Sequence, residues 1–166
     1  MATALHVEEV VGLFGSLRKP LLRYLLTFGI NAEDGEEIVQ ESFLSLFKHL
    51  SAGKSRENLT GWLFRVCHNL ALKHREKSRL LLKMDSEGSF IVDSSLNPEE
   101  QFAQTQRQQK LQSVLRALPE QDRCCISLRA EGLRYREIAE ILGMSLGAVS
   151  ISLTRSLSRF ERADQE

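Results

Sequence analysis

Residues 135–149, YREIAEILGMSLGAV, place apolar side chains at helical spacing on both sides of a single glycine. Ile138 and Leu142 lie about one turn apart before Gly143, which is suited to a tight turn, and Met144, Val149 and Leu153 follow it. Small Ala139 lets two helices cross closely, and Ser145 stands where it can cap the second of them. The pattern is that of a helix-turn-helix, although a purely structural αα-hairpin with glycine in its turn shares the same periodicity. On the final helix, Leu146 to about Arg162, the spacing predicts that Leu146, Val149, Leu153, Leu157 and Phe160 fall inward. Ala148, Ile151, Arg155 and Arg159 then point outward, with Ser152 beside them. Arginines on such a face can meet phosphates or guanine edges, and an exposed Ile151 suits a thymine methyl. Ile151 is equally compatible with packing on a partner protein or with simple exposure.

Outward from this stretch the helical signal continues. Gln101–Leu118 reads as one helix ended by Pro119, and Glu120–Ala130 as a second. Strand signals are nearly absent, since no run of β-branched residues alternates with polar ones, so an all-α fold is expected. Segment 5–29 is helical, in one piece or in two divided at Pro20, with Val10, Val11, Phe14, Leu17, Leu21, Leu25 and Phe28 as its core residues. On a helix over 36–50, Val39, Phe43, Leu46, Phe47 and Leu50 share one stripe. Glu37, Glu41, Leu44 and Lys48 stay outside it, and Gln40 flanks it. A polar loop over 51–58 carries Lys54 and Arg56. In the helix over 59–79, Trp62, Leu63, Val66, Cys67 and Leu70 form the buried side, while Arg65, His68, Leu72, Arg75 and Arg79 share the other. Residues 84–100, MDSEGSFIVDSSLNPEE, break the periodicity with Gly, Ser, Asp and Pro and read as a flexible connector. The expected organisation is two small helical domains, 1–83 and 105–166, joined by a linker over 84–104.

The formal net charge is zero, but the sign changes in blocks along the 166 residues. Glu33, Asp34, Glu36, Glu37 and Glu41 form a purely acidic run. From Lys48 to Lys83, nine bases face only Glu57 and Glu76. Such blocks suggest one surface for a protein and another for phosphates, although solvated helix faces give similar patterns. Cys67, Cys124 and Cys125 are an odd count, with an adjacent pair, and imply no disulfide framework. The N-terminus MATALHVEEV carries acids where a secretion signal would carry bases, and no apolar run approaches the roughly 18–20 residues of a membrane span. A cytoplasmic protein without membrane insertion is therefore expected.

Acidic helix, basic helix, connector and helix-turn-helix follow one another here as they do in the extracytoplasmic-function class of bacterial sigma factors, which the chain resembles over nearly its whole length. GEEIVQESFLSLFKHL (35–50) resembles the helix by which these factors grip the polymerase clamp. LTGWLFRVCHNLALKHREKSR (59–79) is similar to the helix that handles the minus-ten element, and ALPEQDRCCISLRAEGLRYREIAEILGMSLGAV (117–149) to the minus-thirty-five helix-turn-helix. The resemblance implies that Glu37, Gln40, Glu41 and Leu44 contact a basic clamp surface on core RNA polymerase. It implies that Lys54, Arg56, Arg65, His68, Asn69, Lys73 and Arg75 hold the melted minus-ten strand of promoter DNA. It gives minus-thirty-five contacts to Ala148, Ile151, Ser152, Arg155 and Arg159, and it implies an anti-sigma factor as a further partner. Two departures stand out. The family often has Thr where Ala148 stands and bases near Ser150 and Ser152, and it commonly has an aromatic residue before Trp62, where this chain has Leu59.

No enzyme is expected, and no catalytic, metal or cofactor residue is assigned. No nucleophile–base spacing or phosphate-cradling glycine loop is present, and His68 lies about 100° round its helix from Cys67, which spoils the one metal-like cluster. Two other functions fit parts of the sequence: a stand-alone dimeric helix-turn-helix regulator, and a helical adaptor that binds only proteins. The first leaves the Gln40–Glu41 helix unexplained, and the second predicts that neutral substitution of Arg65, Arg75 and Arg155 leaves function intact.

Overall fold

A computed structural model of the chain describes residues 2–84 and 105–165, with side chains placed over 4–83 and 105–165. Apart from Met84, the connector expected over 84–104 lies outside the described residues, as does the expected helix start at Gln101. Seven α-helices and no strands occur among the described residues, and the chain falls into two compact units, Met1–Val92 and Asp93–Glu166.

The first unit is built from α1 (Ala2–Phe28), α2 (Ala32–Ser51) and α3 (Leu59–Met84). Pro20 lies inside α1 without dividing it. Asn31 caps α2, its Oδ1 accepting from the Asp34 N–H at 2.8 Å, while Glu33 and Asp34 in the first turn and Lys48 and His49 in the last complement the helix dipole. Gly35 is buried where α2 meets α1, and a Cβ there would touch the end of the Leu22 side chain at 2.9 Å. The core of this unit joins Leu21, Tyr24 and Leu25 to Val39, Leu46, Leu63 and Phe64.

Two expectations about this unit are corrected. Val11 is not a core residue but 63 % exposed, and Val10, Phe14 and Leu17 are only half-buried. Full burial in α1 begins at Leu21, where Tyr24 and Phe28 also meet α3 through Phe64 and His68. His68 does not stand on the outer face with Arg65. It is 6 % exposed, and its Nδ1 lies 2.8 Å from the Tyr24 hydroxyl. A helix covered by two neighbours buries a wider arc than one apolar stripe, and Phe64, Cys67, His68 and Ala71 together fill that arc.

Cys67 lies 2.9 Å from Ser42 Oγ in the same core. Burial pushes its thiol up to about 12, against a smaller opposing effect of the Ser42 hydrogen bond. Burial raises Cys125 as well, and Cys124 is also buried. Since the thiolate is the reactive species, iodoacetamide at about pH 8 should leave all three cysteines unmodified in the folded protein and alkylate them all in denaturant. Mass spectrometry that finds rapid native labelling of Cys67 would contradict this packing.

The second unit contains α4 (Gln106–Ala117), α5 (Glu120–Ala130), α6 (Tyr135–Leu142) and α7 (Leu146–Gln165), with α7 packed against the other three. Thr105 and Gln108 cap α4 reciprocally. Gly143 takes φ +65°, the left-handed conformation glycine adopts without strain, and the Met144 N–H returns to Ala139 O at 3.0 Å. The Ser145 Oγ accepts from the Ala148 N–H, and the chain turns through 105° between α6 and α7. Ile138, Val149 and Leu153 are fully buried between these helices.

The inward face of α7 departs from expectation. Leu146 and Leu157 are exposed, and Ser152 and Ser156 are buried in their stead. At about 100° per residue, Ser156 lies almost beneath Val149, whereas Leu157 lies roughly 80° round from it. The covered side is the one that faces Asp122 of α5, to which Ser152 is bonded.

Candidate functional site

Three surfaces carry the residues singled out in the sequence. On α2, Glu37, Gln40, Glu41 and Leu44 are all exposed along one stripe with Lys48, Leu44 at 64 %. The neighbouring acids are engaged in the fold: Glu36 pairs with Arg18 of α1, and Asp34 with His74 of α3 at 3.1 Å. Glu37 and Glu41 make no ion pair among the described residues, so their charge is available to a partner. Beside them runs an open apolar groove of about 410 Å³, lined by Val7, Val10, Val11 and Phe14 of α1 and by Gln40, Phe43, Leu44 and Phe47 of α2. Sequence reasoning missed the α1 wall because it assigned Val11 to the core. The signal was present in an apolar arc on α1 wider than one neighbouring helix can cover.

On α3, Arg65, Asn69 and Lys73 are exposed together with Leu72, and Lys54 is exposed in the preceding loop. That loop is shaped in part by His49, whose Nε2 lies 2.7 Å from Ser55 O and whose ring packs 4.6 Å from that of Trp62. Arg56 of the same loop pairs with Glu9. The Arg75 guanidinium lies 4.4 Å from the centre of the Phe28 ring, a cation–π contact that orients an otherwise flexible side chain. Arg65, Asn69 and Lys73 are thus brought onto one face, and His68 is withdrawn from it.

On α7, Ala148, Ile151, Arg155 and Arg159 line the outward stripe, with Ile151 at 64 % exposure. Ser152 is withdrawn into the core, where its hydroxyl donates to Asp122 Oδ1 at 2.7 Å. Arg155 donates to the same carboxylate twice, from Nη2 to Oδ1 at 2.7 Å and from Nε to Oδ2 at 3.1 Å. Burial of Asp122 acts to raise its pKa, but the hydrogen bonds from Arg155 and Ser152 and the charges of Arg155 and Arg159 outweigh it and hold the carboxyl below its ordinary value. Asp122 was not singled out in the sequence. Its partners lie 30 and 33 residues along the chain in a different helix, and no local pattern announces the pairing.

Among the described residues no cluster of His, Cys, Asp and Glu is arranged to hold a metal ion, and no single helix is long and apolar enough to cross a membrane.

The sigma-70 region 2 family matches residues 13–80, the span of the acidic and basic surfaces, and the sigma-70 region 4 family matches residues 108–160, the span of the helix-turn-helix. The chain is 24 % identical over 154 residues to the RNA polymerase sigma factor YlaC of Bacillus subtilis, covering 91 % of this chain and 89 % of that one. It is 27 % identical over 152 residues to the ECF RNA polymerase sigma-E factor of Haemophilus influenzae, covering 85 % and 80 %. Among solved structures, the sigma factor RpoE of Bartonella quintana, co-crystallised with the anti-sigma factor NepR, has a similar fold, with a TM-score of 0.76, 21 % identity and coverage of 95 % of this chain and 98 % of that one.

Proposed function

Because the chain belongs to the sigma-70 family, as a factor of the extracytoplasmic-function class, we propose a division of labour among its three surfaces. As a sigma factor, it binds core RNA polymerase and directs promoter-specific initiation of transcription. In the proposed division, Glu37, Gln40, Glu41 and Leu44 dock on a basic surface of the polymerase, with the apolar groove beside them receiving aliphatic side chains. Lys54, Arg65, Asn69, Lys73 and Arg75 hold the unpaired minus-ten strand, cations on its backbone and the Asn69 amide on a base edge. Ala148, Ile151, Arg155 and Arg159 meet the minus-thirty-five duplex. The first domain, 1–83, then carries the polymerase and minus-ten contacts, and the second, 105–166, the minus-thirty-five contacts.

The observation that carries this division is the set of unengaged carboxylates of Glu37 and Glu41 on α2, which a stand-alone DNA-binding regulator does not need. The chain performs no chemistry itself; the polymerase does, and the factor would work in the cytoplasm beside it. A protein antagonist of the kind bound to the Bartonella factor would act by covering these surfaces. Run-off transcription with purified core polymerase on a genomic DNA library tests the reading. Start sites preceded by two shared elements are expected. Initiation no higher than with core alone, together with tight polymerase-independent binding to duplex DNA, would favour a stand-alone regulator.

A further inference from the structure

We propose that Asp122 is a specificity-determining positioning residue, which holds Arg155 edge-on at the reading face so that the free edge of its guanidinium reads a guanine in the upstream promoter element. The proposal rests on the assignment of α7 to that element. Asp122 is 1 % exposed, and its two oxygens accept three hydrogen bonds, two from Arg155 and one from Ser152. A guanidinium carries five N–H donors in a rigid plane. Asp122 engages the Nε–H and one Nη2–H, which leaves the terminal edge free, with one N–H from Nη2 and one from Nη1 side by side. That pair of nitrogens has the spacing with which an arginine grips O6 and N7 of guanine in the major groove.

Placement on the helix agrees. Arg155 lies at the centre of the outward stripe formed by Ala148, Ile151 and Arg159, and its side chain is half exposed although one edge is tied down. Electrostatics favours a base over a phosphate as its target. The Asp122 carboxylate offsets the charge of Arg155, so the pair is a weak anchor for the DNA backbone, whereas base recognition depends on donor geometry. Ser152, buried one turn before Arg155, contributes the third hydrogen bond that fixes the carboxylate. An unsupported arginine would lose its side-chain freedom on meeting DNA, and this one has already lost it on folding. If Asp122 merely fastened α5 to α7, its loss would reduce activity evenly on all promoter sequences.

The test uses the full chain with core polymerase on promoters randomised across the upstream element, with wild type compared with Asp122→Asn, Arg155→Lys and Arg155→Ala. Wild type is expected to require guanine at one position. Arg155→Ala and Arg155→Lys should each lower that preference about 10-fold or more, the lysine variant keeping a charge partner for Asp122 and hence the fold. Asp122→Asn should relax the same position and no other, with circular dichroism and preferences at the minus-ten element unchanged. An even loss on every sequence in Asp122→Asn, or an unaltered guanine preference in Arg155→Lys, would overturn the proposal while leaving the assignment of α7 intact. A wild-type protein that initiates with no upstream preference at all would overturn both.

Discussion

Charge reversal at Glu41 is expected to weaken binding to core polymerase by about 100-fold or more, with the helical content and melting temperature of the protein unchanged. Glu41 is exposed on α2 and makes no ion pair among the described residues, so its replacement by lysine breaks nothing inside the unit. Against a basic partner surface, the change both removes an attraction and installs a like-charge contact, and such juxtapositions cost several kcal/mol at an interface. At about 1.4 kcal/mol per tenfold in affinity, two to three such units are a 100- to 1,000-fold loss. Leu44→Asp should act similarly by placing a charge on the exposed apolar residue that lines the groove beside it. Lys48→Glu is the control on the same stripe and should be tolerated or mildly favourable. Fluorescence anisotropy of labelled factor titrated with core polymerase measures all three. Near-wild-type affinity of Glu41→Lys would remove the basis for assigning α2 to the polymerase.

Glu41 and Leu44 were legible in the sequence because α2 has a single apolar stripe, and whatever lies opposite such a stripe must face solvent. The helix-turn-helix was legible for a similar reason, since Ala139, Gly143 and Ser145 each satisfy a local requirement for close crossing, a left-handed turn or a cap. What escaped depends on how many neighbours an element has. His68 was assigned to solvent by its angle, but α3 is covered on two sides, and a hydrogen bond to Tyr24 makes the buried imidazole acceptable. Ser152 and Ser156 were passed over in favour of Leu157 because a hydrophobicity pattern cannot anticipate a buried carboxylate from another helix. Val11 shows the opposite failure, an apolar residue assigned to a core that its part of the helix does not have. In each case local chemistry set the helix, and the covering elements set which of its faces is inside.

Neutralising Arg65 and Lys73 together, as Arg65→Gln with Lys73→Gln, is expected to suppress promoter opening about 10-fold or more while leaving polymerase association intact. Both side chains are exposed on α3 beside Asn69, and neither makes an ion pair among the described residues, so the fold does not depend on their charge. Opening a promoter costs roughly 1–2 kcal/mol of stacking per base-pair step, and this must be offset by capture of the separated strand. Each cation that meets a single-strand phosphate releases condensed counterions, with a contribution of about 0.7 to the slope of log K against log salt. Removing two should therefore flatten the salt dependence of opening by about 1.4 and move the opening midpoint to lower salt. Permanganate footprinting of unpaired thymines over a salt titration reads the slope, and native gel mobility of the factor–polymerase complex reads association. An equal loss of both would mean that α3 supports docking and not strand capture. An unchanged slope with reduced opening would place the strand elsewhere and leave the basic face as a solvated surface. The double variant thus separates the two roles that neighbouring helices of opposite charge are proposed to play, because it removes phosphate contacts of α3 from the salt slope of opening and leaves the charges of α2 in place.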